Sequence, residues 1–80
     1  MSERLKYEGR LAVMEKEARK LKIQLKGLVD SLRDQLDILE DVRDLSADVI
    51  AEQAVEFASK HTEYTELLAK IKEAKKILGR

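Results

Sequence analysis

The sequence predicts an all-α protein: a long antiparallel helical hairpin, coiled-coil-like, with a short helix or turn at the bend, that pairs with a second copy into a four-helix bundle. Three observations predict it. No proline interrupts the 80 residues. Apolar residues recur at spacings of four and three along two long stretches, the signature of a helical seam. The balance of 44% hydrophobic and 40% charged residues is that of long helices rather than of a disordered chain.

The first stretch runs Tyr7, Leu11, Met14, Ala18, Leu21, Leu25, Leu28 and Leu32 and predicts a helix over residues 3–36. The second runs Ile50, Ala54, Phe57, His61, Tyr64, Leu68, Ile71 and, past Lys75, Leu78, predicting a helix over 46–78. At a rise of 1.5 Å per residue each is roughly 50 Å long. Ser46 suits the N-cap, Asp48 lies where the positive end of the helix dipole favours an acid, and Lys75, Lys76 and Gly79 mark the far end. Exposed faces offer ion pairs between Glu15 and Arg19, Glu56 and Lys60, and Glu66 and Lys70. Gly27 falls inside the first helix and reads either as a tolerated surface glycine or as a hinge.

Between the helices lies DILEDVRDL, residues 37–45, in which Asp37 and Glu40 have capping-box spacing. A helix of one or two turns is expected there, folding Ile38, Leu39, Val42 and Leu45 over the open end. No repeat or linker divides the chain, so residues 1–80 are expected to form one domain.

Self-association follows from size and surface. A chain this short buries only about 60% of its unfolded surface. Without cysteine it can draw on no disulfide or thiolate metal site, which leaves oligomerisation as the supporting device. Val13, Ile23, Val29, Leu36, Val49, Val55, Leu67 and Ile77 fall outside the seams. Of these Ile23, Val29, Leu36, Val55 and Leu67 are the expected protein interface, occupied by a second copy in a homodimer or by a heterologous protein. Charge sets the orientation. Residues 27–57 hold nine acids against Arg33 and Arg43, a net of minus seven, and the rest of this neutral chain carries the compensating plus seven. Two hairpins with their turns at opposite ends would match acidic end to basic end. The rival topology is a parallel dimer of the first helix, with Arg10, Glu15, Glu17 and Lys22 flanking its seam.

Composition also excludes function classes. No apolar run reaches the roughly 20 residues needed to span a bilayer, and the charged MSERLKYEGR start is unlike an export signal; a cytoplasmic protein with no membrane partner is expected. No nucleophile, base and orienting acid can be assembled around the single histidine, His61, so no enzyme, metal or cofactor is expected. His61 itself reads as a core or interface residue sharing a buried hydrogen bond, with a metal ligand or pH sensor as the lesser alternative. LVDSLRDQLDILEDV resembles in general look the all-helical chorismate mutases, but that family needs inward-facing cations, which this pattern puts mostly outside the seams. The basic residues Arg19, Lys20, Lys22, Lys26, Lys70, Lys72, Lys75 and Lys76 define the runner-up function, nucleic-acid contact, against which the overall neutrality and missing aromatic platform count.

Type III secretion needle subunits have this length but a proline-containing turn, and the secreted hairpins with a Trp-x-Gly turn have no counterpart here. The runs LKIQLKGLVDSLRDQLD and DVIAEQAVEFASKHTEYTELLAKIKE resemble small helical proteins of Mu-like transposable phages and prophages. That resemblance covers about half the chain. It implies a bacterial cytoplasmic accessory protein and brings no catalytic residues with it.

Overall fold

The computed structural model describes residues 2–37 and 39–80. Two long helices, α1 (Glu3–Gln35) and α2 (Ala47–Ile77), fold back on one another across a single 3-10 turn at Val42–Asp44. The hairpin measures 61 × 16 × 16 Å. Within the chain, α1 buries its seam against α2.

Each helix end is closed by local chemistry. Ser2 caps α1, its Oγ accepting from the Leu5 N–H at 3.3 Å. Ser46 occupies the N-cap position of α2 as its sequence context suggests, but its side chain makes no capping hydrogen bond. At the other end of α2, Gly79 adopts φ +76°. There the Gly79 N–H donates to Lys76 O at 3.1 Å and the Arg80 N–H to Lys75 O at 2.8 Å. That pair of bonds needs a left-handed residue, which glycine supplies without a Cβ clash.

On α1 every seam residue is buried or half-buried, with Leu11 at 1% exposure the most enclosed side chain. On α2 the seam is displaced. Ile50, Phe57, Tyr64, Ile71 and Leu78 face inward as expected, but the positions between them are Gln53, Lys60, Leu67 and Ala74 rather than Ala54, His61, Leu68 and Lys75. Leu67 therefore packs against the core cluster inside the hairpin and leaves the set of expected partner contacts. Lys60 leaves its expected exposed pairing with Glu56. It instead donates to Gln24 Oε1 across the seam at 3.3 Å. Gln53 Nε2 donates to Ser31 Oγ at 2.7 Å. The two bridges join residues seven apart on one helix to residues seven apart on the other, and so pin a single antiparallel register, the role polar seam residues play in coiled coils.

The expected Glu15–Arg19, Glu56–Lys60 and Glu66–Lys70 pairs do not form among the described residues. The ion pairs that do are Arg4–Glu8, Arg43–Asp41 and Arg80–Glu8. All are solvated and so stabilise little.

The bend departs most from expectation. Leu39 and Val42 are 89% and 82% exposed, so they do not cover the open end of the bundle; Leu45 alone is half-buried there, and Ile38 lies outside the described residues. Asp37 does not form a capping box with Glu40. Its carboxylate accepts from the Leu39 N–H at 2.9 Å, and Asp41 does the same for Arg43. Two aspartate turns in succession satisfy the local backbone and leave it no reason to wind into a longer helix. The Arg43 guanidinium, and after it the Arg43 N–H, hold the Asp41 carboxyl below its ordinary value.

Gly27 lies within the unbroken α1, with nothing near the space a Cβ would occupy, so an alanine fits there without a clash. Gly27→Ala is expected to stabilise the protein by about 0.5–1 kcal/mol by removing a mid-helix glycine. The check is a thermal midpoint higher by roughly 2–8 °C; an unchanged or lower midpoint would favour the hinge.

Candidate functional site: an apolar flank between two charged ends

Burial is uneven along the hairpin. The enclosed cluster of Leu11, Ala18, Ile71, Ala74 and Leu78 sits at the end that carries both termini. Toward the turn the seam residues Leu28, Leu32, Ile50 and Phe57 are only half-buried. There the helices leave an open groove of about 320 Å³ lined by Val29, Leu32, Leu36, Phe57 and Arg33. Four of its five lining residues are apolar, so water in the groove makes few hydrogen bonds and its displacement is favourable.

Phe57 links this groove to the middle of the molecule. Its ring stacks on that of His61, with centroids 5.6 Å apart and planes inclined by 23°. His61 itself is exposed; it shares no buried hydrogen bond, contrary to the core role that the apolar seam suggested. Ala54, His61 and Leu68 are spaced by seven and hence lie on one side of α2. With Leu68 42% exposed, they continue the groove as an apolar flank toward the other end. Beyond Leu68 the flank meets Ile71, Lys72, Lys75, Lys76 and Arg80, which line a second depression.

The five residues expected at a partner interface thus divide three ways. Val29 and Leu36 come together in the groove. Ile23 and Val55 are 72% and 71% exposed and stand apart from it, each on its own helix. Leu67 is internal. Ala54, His61 and Leu68, expected in the intramolecular seam, are instead the flank's exposed members. The signal that would have found them is Ala74: an alanine fits a seam position better than the neighbouring Lys75, and counting back by sevens from it reaches Leu67, Lys60 and Gln53.

The basic residues do not form a track. Lys72, Lys75 and Lys76 border the second depression, Lys70 lies with Tyr7 and Arg10 on a different groove, and Arg19, Lys20, Lys22 and Lys26 are exposed around α1. Among the described residues, no three His, Cys, Asp or Glu side chains converge as a metal site would need, and no helix is long and apolar enough to cross a membrane. Compared with known protein families, characterised proteins and solved structures, the chain matches none.

Proposed function

We propose that the chain is a non-catalytic protein-interaction module that assembles with itself, working in the bacterial cytoplasm as an accessory protein of phage or prophage type. The observation that carries the self-assembly is the open apolar groove at Val29, Leu32, Leu36 and Phe57, set in a molecule whose two ends carry opposite charge. A hairpin of this size gains by covering such surface, and a neutral molecule with charged ends is complementary to itself. The setting rests on the likeness to Mu-like phage proteins alone. Contact with nucleic acid is the weaker reading: lysines spread around both helices can meet few phosphates of one duplex at once, and phosphate neutralisation supplies most of such affinity.

Light scattering over a concentration series, at low and high salt, tests the reading. A dimer mass that persists on dilution supports it, and loss of mass at high salt supports the contribution of charge. A folded monomer at every concentration would overturn self-assembly.

A further inference from the structure

We propose that a second copy of this chain docks on the Ala54–His61–Leu68 flank with its turn at the opposite end, so that the twofold axis passes beside His61. This rests on the self-assembly reading and deepens it by naming the face and the orientation.

The geometry follows from the register of the hairpin. His61 lies near the midpoint of α2 (Ala47–Ile77). Leu68 lies two turns, roughly 10 Å, from His61 toward the basic end, and Ala54 the same distance toward the acidic turn. The Gln53–Ser31 and Lys60–Gln24 bridges put Val29 at the level of Ala54 on the neighbouring helix. A half-turn about His61 therefore carries the second copy's Leu68 over Ala54 and Val29, at the mouth of the groove. The exposed leucine on one side and the unfilled groove on the other are at equal distances from the axis.

Charge selects the same arrangement. The half-turn lays the second copy's Lys72 and Lys75 over the acidic half of the first, where residues 27–57 carry a net of minus seven. Docking with turns at the same end would superimpose two like-charged halves. Opposite-end docking lets the attraction act twice in one interface. The flank also permits close approach, because Ala51, Ala54 and Ala58 lie on it without long side chains. A side of the molecule 61 Å long and 16 Å wide offers on the order of 1,000 Å² per partner, so coverage of half of it already reaches the ~1,000 Å² total that a specific contact needs.

Cysteine cross-linking tests the proposal on a chain that has no cysteine of its own. Single variants His61→Cys, Ala54→Cys and Leu68→Cys are compared with Val55→Cys, at an exposed position away from the flank. Beside the axis, His61→Cys should form a disulfide dimer roughly a thousandfold faster than Val55→Cys, since docking raises the local thiol concentration from micromolar to millimolar. Ala54→Cys and Leu68→Cys should cross-link with each other in a mixture and only slowly with themselves. Rapid self-cross-linking of Ala54→Cys and Leu68→Cys would mean turns at the same end and would overturn the orientation. Equal rates for Val55→Cys and His61→Cys would overturn the face. A dimer by light scattering that cross-links at none of the flank positions would overturn this docking and leave self-assembly standing, whereas a monomer by scattering removes both. Because these four sites are exposed or small, circular dichroism of each variant should match the parent.

Discussion

Leu11→Ala is expected to cost about 2–5 kcal/mol, the range for emptying a fully enclosed leucine site. Leu11 is 1% exposed and belongs to the cluster formed with Ala18, Ile71, Ala74 and Leu78. Those neighbours are short or tied to long helices, so the surrounding wall cannot collapse far into the space. Small domains have only a few kcal/mol in hand, and the thermal midpoint should fall by more than about 10 °C. Leu25→Ala, at 8% exposure and outside that cluster, should fall at the lower end of the same range. Ile23→Ala, at 72% exposure, should change stability by less than about 0.5 kcal/mol. The order of the three midpoints by circular dichroism is the check. A Leu11→Ala midpoint within a few degrees of the parent would mean that the terminal end does not hold the core.

The second large effect has the opposite sign. Replacing Gln53 and Lys60 together by leucine is expected to raise stability while weakening the choice of a single structure. Gln53 Oε1 is buried without a hydrogen-bond partner, and an orphaned polar atom costs about 1–3 kcal/mol. Leucine removes that cost and adds apolar contact along the seam. Ser31 and Gln24, the partners of the two bridges, lie toward the edge of the seam, where water can replace the lost bonds. What is lost is register: with leucine at both places, shifted pairings and larger assemblies bury nearly as much as the native one. The double variant should therefore melt later but give a broader distribution of masses in solution. A later melt with an unchanged single mass would show that other residues set the register.

Helix number, direction and approximate ends were legible because a sustained four-three spacing and the absence of proline admit little else. The inner face of α2 was not. Ile50, Phe57, Tyr64, Ile71 and Leu78 are common to two possible seams, which differ only in the residues between. Counting apolar residues favours Ala54, His61 and Leu68; the structure uses Gln53, Lys60, Leu67 and Ala74. The choice depends on what stands opposite, and Ser31 and Gln24 are hydrogen-bond partners that apolarity does not weigh. The flank was hidden for the same reason, since assigning Ala54, His61 and Leu68 to the interior removed them from the surface. Only Val29 and Leu36 remained as pointers to it. At the bend, Asp37 and Asp41 each satisfy the backbone two residues on. That local competition was outweighed in the sequence by the apolar residues Leu39 and Val42, which find nothing to pack against.

The position of the enclosed cluster bears on how the chain folds. Leu11 meets partners near Ile71 and Leu78, so the tightest contacts join segments some sixty residues apart along the chain. Closing so wide a loop is entropically dearer than closing a narrow one, and contacts of large sequence separation slow folding. The turn-proximal half is near in sequence but loosely packed; the terminal half is well packed but remote. Neither half is both near in sequence and tightly packed, so a hairpin that zips up from its turn closes last the part that holds it shut.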